Sequence, residues 1–113
     1  MVNDQVLGAV FGALADPTRR RIVERLARQP LTVGEIAEQF SISKPAISRH
    51  VRVLEAAGLL NRRIDGRVHH CTLGPKNIAL TSEWLEKQGR FWNATLDRLD
   101  IYLKSTPKGR KRS

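Results

Sequence analysis

The sequence has little cysteine, comparatively few acidic residues and no long apolar run. Its single cysteine, Cys71, cannot form a disulfide within the chain, which agrees with a reducing compartment. No run of about 18 apolar residues is present to span a bilayer, and residues 1–16 lack the charged start and cleavage pattern of a signal peptide. We therefore expect a cytoplasmic protein, and its length of 113 residues fits one domain.

The charge balance points to a polyanionic partner. Lysine and arginine number 20 against 11 acidic residues, which gives a net charge of +9 and favours nucleic acid. The same balance suits a non-specific nucleoid-associated or RNA-binding protein, and charge alone leaves that alternative open. A glycine-rich phosphate loop, a nucleophile paired with a base and a carboxylate dyad are all missing, so we expect neither an enzyme nor a cofactor.

The first half of the chain shows four helical patterns separated by capping residues. Apolar residues recur at helical spacing over residues 5–14. Asp16, followed by proline, provides the N-cap of a second helix. Thr32 and Glu35 form a capping box for a third, and Ser43 caps a fourth. The third and fourth helices are short and closely connected, which predicts a helix-turn-helix.

A hairpin and a long helix are predicted to follow. Asp65-Gly66 is a strong turn signal between residues 60–64 and 67–73, which predicts a two-stranded wing whose register the uneven alternation leaves open. Residues 82–103 then repeat apolar positions at helical spacing over about 33 Å. We predict a mainly α fold of about five helices with this antiparallel wing. The domain covers residues 1–104, and the basic tail, residues 105–113, is expected to be disordered.

The last helix carries more apolar surface than the outside of so small a domain can expose, so we interpret it as a dimerisation helix. Residues of the first helix are expected to contribute to the same interface. The residues expected at a homodimer interface are Val6, Val10, Phe11, Trp84, Phe91, Trp92, Leu96 and Leu99.

The fourth helix carries the candidate DNA contacts. With Ile47, Val51 and Leu54 directed inward, its outer side is polar and basic and can enter a major groove. Lys44 or Arg49 can read guanine there, and arginines of the hairpin can contact phosphates or the minor groove. The candidate set is Thr32, Ser43, Lys44, Pro45, Ser48, Arg49, His50, Arg52, Arg62, Arg63 and Arg67.

Two features of this region have alternative interpretations. His50 stands where an apolar residue is more usual, and we place it at the edge of the core, within reach of a phosphate. His69, His70 and Cys71 resemble metal ligands, but only His69 and Cys71 share a face of a strand, and zinc normally needs three or four ligands. We expect no metal there. A redox role for Cys71 is equally weak, because the chain has no resolving cysteine.

Three segments and the turn of the wing resemble the ArsR/SmtB family of bacterial winged-helix repressors. They are ALADPTRRRI at residues 13–22, SKPAISRH at 43–50, VLEAAGL at 53–59 and Gly66-Arg67. The resemblance implies a homodimer joined through its first and last helices and bound to an imperfect palindrome in a promoter. Many members sense metals through a Cys-x-Cys pair in the third helix or Asp and His clusters in the last. This chain has neither pattern and resembles a branch without those ligands, whereas its operator and inducing signal stay open.

Overall fold

The structure is a computed structural model that describes residues 4–105. Its elements are α1 (Asp4–Leu14), α2 (Pro17–Leu26), β1 (Leu31–Thr32), α3 (Val33–Phe40), α4 (Lys44–Ala56), β2 (Leu60–Asp65), β3 (Val68–Leu73) and α5 (Pro75–Lys104). The chain divides into two compact units, the first ending at Thr81 and the second beginning at Ser82. The expectation of a disordered tail concerns residues that, apart from Ser105, lie outside the described range.

The predicted helix starts are confirmed by their hydrogen bonds. The carboxylate of Asp16 accepts from the backbone N–H of Arg19 at 3.0 Å, and Pro17 occupies the first turn of α2. At α3 the capping box is complete: the Thr32 hydroxyl accepts from Glu35 N–H at 3.1 Å, and the Glu35 carboxylate accepts from Thr32 N–H at 2.8 Å. These bonds satisfy backbone donors that a helix start leaves without partners.

The connection between α3 and α4 is three residues long and begins with a left-handed residue. Ser41 has a φ of 54° and ends α3, and Ser43 then caps α4 by accepting from Ala46 N–H at 3.3 Å. A left-handed residue reverses the chain direction in little space. The two helices therefore form the compact helix-turn-helix that the sequence predicted.

The wing differs from its prediction in two ways. The sheet has three antiparallel strands in the order β1-β3-β2, because Leu31 and Thr32 pair with Cys71 and His70. Two residues are too few to show an alternating pattern, so β1 was not predicted. The turn is also one residue later than expected. Asp65 pairs with Val68, which leaves Gly66 and Arg67 as the two turn residues. Gly66 supplies the positive φ, 64°, at the first of them.

The first unit has one hydrophobic core. Its fully buried side chains come from α1 to α4 and from the sheet: Val10, Ile22, Ile36, Ile47, Val51, Leu54, Leu59, Leu60 and Cys71. Burial of a single leucine or isoleucine stabilises a fold by about 1.5–3 kcal/mol. The inward side of α4 packs in this core, and the opposite side of the helix faces solvent.

The last helix begins earlier than predicted, at Pro75 rather than at residue 82. Its first two turns belong to the first unit, where Ile78 packs against the core. The Asn77 amide donates to the carbonyl of Ala57 at 3.0 Å and so satisfies the end of α4. The weak apolar pattern of residues 75–81 reflects these local contacts, and periodicity alone did not reveal the earlier start. Residues 4–105 contain five helices and an antiparallel wing, and the predicted fold class is confirmed.

Candidate nucleic-acid interface

The outer side of α4 carries the predicted DNA-contacting residues. Ile47, Val51 and Leu54 are fully buried, and this turns the opposite side of the helix to solvent. Ser48 is half-buried. The residues of the predicted set that α4 exposes are Lys44, Pro45, Arg49 and Arg52.

A cleft lies between the start of α4, the start of α3 and the tip of the wing. It is lined by Thr32, Val33, Gly34, Lys44, Ser48, Arg67, Val68 and His69. Four residues that sequence reasoning proposed separately as DNA contacts, Thr32, Lys44, Ser48 and Arg67, therefore share one cleft. Two of them are cations and two carry hydroxyl groups. This is the donor set that binds a phosphate oxygen through charge-assisted hydrogen bonds.

Gly34 gives Lys44 room in this cleft. A Cβ atom at Gly34 would lie 3.5 Å from Lys44 Cε and 3.8 Å from its Nζ, so the amine lies over the first turn of α3. The Thr32 hydroxyl accepts the capping bond from Glu35 N–H and keeps its own proton for another acceptor. A positive group above the positive end of a helix favours an anion at that position.

The three wing arginines have different environments. Arg63 and Arg67 are exposed, as a DNA contact requires. The Arg62 side chain is only 18% exposed: its Nη2 donates to Glu55 Oε1 at 2.7 Å, and its Nη1 lies 3.2 Å from His69 Nδ1. This pair joins the wing to α4. We therefore remove Arg62 from the candidate DNA contacts, because its guanidinium is committed inside the protein.

His50 is also engaged within the protein. Its Nδ1 lies 3.3 Å from Arg19 Nη1 and 4.0 Å from Asp16 Oδ2. The hydrogen bond from the backbone N–H of Arg19 is the largest effect that holds the pKa of Asp16 below its usual value, and burial opposes it to a smaller degree. The predicted position at the edge of the core agrees with its 23% exposure. The neighbours of His50 within the protein indicate a structural contact rather than a direct phosphate contact.

Two of these internal partners, Arg19 and Glu55, were not singled out from the sequence. Arg19 appeared only within the segment of residues 13–22, and its contact with His50 spans 31 positions. No local spacing rule connects residues so far apart. Only the packing of α2 against α4 brings them together.

Cys71 and His69 do share a face of β3, as expected from strand alternation. The guanidinium of Arg62 lies beside both of them on that face, and a cation is a poor neighbour for a metal site. Burial raises the pKa of the Cys71 thiol, and the charge of Arg62 offsets this only in part. A buried thiol that resists ionisation is a weak nucleophile. Within residues 4–105 no three His, Cys, Asp or Glu side chains come together as metal ligands.

The predicted dimer residues lie in two environments. On α1, Val10 is 1% exposed and belongs to the core, Val6 is half-buried and Phe11 is 42% exposed, so the core encloses Val10 but not Phe11. On α5, Trp84 is half-buried. The other predicted α5 residues are about half exposed: Phe91, Trp92, Leu96 and Leu99.

Five of the exposed apolar residues of α5 recur along one side of the helix. We define the α5 stripe as Leu85, Trp92, Leu96, Leu99 and Leu103, whose exposed fractions lie between 49% and 56%. Their spacings of seven, four, three and four positions follow the seven-residue repeat of packed helix pairs. Phe91 packs edge to face on Trp92, with ring centroids 5.4 Å apart. Within residues 4–105 no helix is long and apolar enough to cross a membrane.

Comparison with known proteins agrees with this geometry. Residues 14–63, which include α2, α3 and α4, match the family model described as a helix-turn-helix domain. The HTH-type transcriptional regulator Rv2034 of Mycobacterium tuberculosis is 45% identical over 84 residues, which cover 74% of this chain and 76% of that protein. The transcriptional repressor SdpR of Bacillus subtilis is 37% identical over 76 residues, which cover 67% of this chain and 84% of the relative.

Solved structures show the same relation. The crystal structure of an ArsR family transcriptional regulator superposes with a TM-score of 0.75 at 35% identity and covers 81% of this chain and 95% of the other. These relatives are named transcriptional regulators, in agreement with the regulatory function that the sequence predicts. On its sequence identity, its helix-turn-helix and its wing, this chain belongs to the ArsR family of winged helix-turn-helix transcriptional regulators.

Proposed function

We propose that this chain is a repressor that binds, as a homodimer, an imperfect palindrome in a promoter. The cleft between α4, α3 and the wing is the observation that carries the proposal, because it gathers cationic and hydroxyl donors from three elements beside the exposed side of α4. The direction of regulation follows from SdpR, which is named a transcriptional repressor.

In this proposal α4 is the recognition helix and lies in the major groove. Arg49, exposed on the second turn, reads a guanine by two hydrogen bonds. Lys44 faces the groove from the first turn and Ser48 from the second. Arg52 continues the same side toward the backbone. Ser43 and Pro45 lie at the helix start, where the backbone comes close to DNA.

The cleft holds a backbone phosphate. Arg67 approaches it from the wing and Lys44 from α4, while the hydroxyl groups of Thr32 and Ser48 donate to its oxygens. Arg63 lies on the face of the wing opposite to Arg62, and it contacts a different phosphate or the minor groove. These contacts fix the register of α4 on the duplex, and the bases then select the sequence.

The dimer places two recognition helices in successive major grooves. Two half-sites on one side of B-DNA lie roughly 34–36 Å apart, so the two chains must be held at a fixed separation. The α5 stripe fits a second copy of this chain, since its seven-residue spacing matches a helix of the same sequence. Phe11 and Val6 of α1 extend the interface. Residues 1–104 then act as one DNA-binding and dimerisation domain, in the cytoplasm, where a bacterial chromosome lies.

Footprinting on the DNA upstream of the coding sequence tests the proposal. We expect salt-sensitive protection of two half-sites with approximate two-fold symmetry, together with sedimentation of the free protein as a dimer at micromolar concentration. A ratio near one between the affinities for this DNA and for random DNA would instead select a non-specific nucleic-acid-binding protein. A monomer that protects a single half-site would refute the dimer but keep the recognition helix.

A further inference from the structure

Arg19 connects the end of α1 to the middle of α4. Its Nε donates to the carbonyl of Ala13 at 2.6 Å, and its Nη2 donates to the carbonyl of Gly12 at 3.3 Å. The last carbonyls of a helix have no partner within the helix, and a cation there also opposes the negative end of the helix dipole. Arg19 therefore caps α1 from the first turn of α2.

The remaining nitrogen of the same guanidinium faces α4. Nη1 of Arg19 lies 3.3 Å from Nδ1 of His50. A guanidinium only donates, so Nδ1 accepts, and in neutral His50 the proton stays on Nε2. Asp16 Oδ2 lies 4.0 Å from the same Nδ1, so the pair is located beside the N-cap of α2. One side chain thus joins three helices by directional bonds.

Apolar side chains also connect α1 and α4. Val10 and Ala13 share the core with Ile47 and Val51. Burial of these side chains decides which side of α4 faces inward. Apolar packing is not directional, however, and it restricts small rotations of a helix about its axis less strictly. A hydrogen bond of fixed geometry at His50 restricts that rotation. Because His50 is adjacent to Arg49, the rotation decides where the Arg49 side chain points.

We propose that Arg19 is a positioning residue for DNA recognition, which orients the recognition helix through His50 without touching the DNA. The inference rests on the proposed function, since it requires α4 to read bases. A consequence is that any shift in the last turn of α1, the helix that presents Phe11, is passed to α4 through this bridge.

The test compares operator and random DNA in four variants. His50→Leu removes the acceptor and leaves the bonds of Arg19 to Gly12 and Ala13 in place. His50→Asn keeps an oxygen acceptor near the position of Nδ1. Arg19→Lys keeps the charge but cannot reach all three acceptors. Arg20→Lys is the matched control, because Arg20 Nη1 also caps α1, through the carbonyl of Leu14 at 2.7 Å, and has no bond to α4 among those observed here.

We expect His50→Leu and Arg19→Lys to lower the affinity for the footprinted duplex by about threefold to tenfold, which corresponds to one lost hydrogen bond. Affinity for a random duplex of equal length stays unchanged. His50→Asn restores most of the operator affinity, and the Arg19→Lys, His50→Leu double variant is no worse than either single variant, because both break the same bridge. Arg20→Lys lowers the thermal midpoint but not the ratio of the two affinities.

Three results would overturn the proposal. An unchanged affinity ratio in His50→Leu would mean that the bridge does not orient α4. An equal loss on both duplexes would assign His50 to a direct phosphate contact. An equal fall of the ratio in Arg20→Lys would assign the effect to capping of α1. Failure of the proposed function is distinguishable, since wild-type protein would then lack operator preference and Arg49→Ala would change nothing.

Discussion

The two units of this chain differ in how far they bury their apolar side chains. The first unit buries most of its large apolar side chains in a core of its own, with Ile22, Ile47 and Leu54 fully enclosed. Between Ser82 and Ser105 no side chain is buried, although the helix carries two leucine-rich turns and several aromatic rings. An isolated helix of this kind is only marginally stable in water, and its stripe gains stability by packing against another surface.

This contrast separates the residues proposed for DNA binding from those proposed for association with a second chain. The first unit contains every candidate DNA contact on elements fixed by the core. The helix beyond Thr81 offers an extended apolar stripe and no buried anchor. We infer that folding of the DNA-reading part is intrinsic to one chain, whereas the state of the α5 stripe depends on association with a second chain.

The largest expected effect is on association. Leu96→Glu combined with Leu99→Glu would place two charges in a dry interface, at a cost of several kcal/mol, so we expect a monomer that no longer binds the palindrome. The matched control is Ala94→Glu with Ile101→Glu, which adds the same charge on the opposite side of the helix. Analytical ultracentrifugation measures both. A dimeric Leu96, Leu99 variant would move the interface away from the α5 stripe.

The next effect contrasts the same substitution in the two units. Leu54→Ala should lower the free energy of unfolding by about 2–5 kcal/mol, because Leu54 is fully enclosed and leaves a cavity. Leu99→Ala should change it less, and the change should depend on protein concentration. Urea unfolding followed at two protein concentrations distinguishes them. If both variants lost stability equally and independently of concentration, the second unit would have an intramolecular partner of its own.

Base reading by α4 should be affected without loss of the fold. Arg49→Ala should weaken operator binding by roughly 1–3 kcal/mol and relax sequence preference, as expected for loss of a bidentate contact with guanine. Arg28→Ala removes an exposed arginine outside α4 and controls for charge. Quantitative gel shifts on operator and random DNA provide the measurement. Wild-type affinity for both duplexes in Arg49→Ala would show that this residue does not read sequence.

The smallest effect concerns the wing arginines. Arg67→Gln should reduce the slope of log affinity against log salt by about one, because one phosphate contact is lost. Arg62→Gln should leave the slope unchanged but lower the thermal midpoint, since Glu55 would lose its partner at 2.7 Å. A salt titration of each variant checks the pair. Equal slopes for Arg62→Gln and Arg67→Gln would place Arg62 at the DNA after all.

Local chemistry explains which parts of the fold were predictable. The caps at Asp16, Thr32 and Ser43 were read correctly, because each depends on a residue and its neighbours within three positions. The turn at Gly66 was displaced by one residue, since Asp65-Gly66 and Gly66-Arg67 both allow a positive φ at the glycine. The strand at Leu31 was missed because its pairing with Cys71 is not local.

The candidate site shows the same limit. Composition and helical periodicity identified the outer side of α4, and they did so because burial of Ile47 and Val51 fixes which side is exposed. They did not distinguish Arg62 from Arg63, which are neighbours on one strand with opposite orientations. Strand alternation predicts that Arg62 and Arg63 point to different faces of the sheet. The register of the wing decides that Arg62 is the one that contacts Glu55.

The sequence by itself determined the helix starts, the helix-turn-helix, the excess of positive charge and the apolar character of the last helix. These properties depend on composition, on residues close together in the sequence and on short periodic patterns. Only the tertiary structure decided that Thr32, Lys44, Ser48 and Arg67 share a cleft, and that Arg19 meets His50. Contacts between residues far apart in the chain depend on how the whole core packs, and no local pattern specifies them.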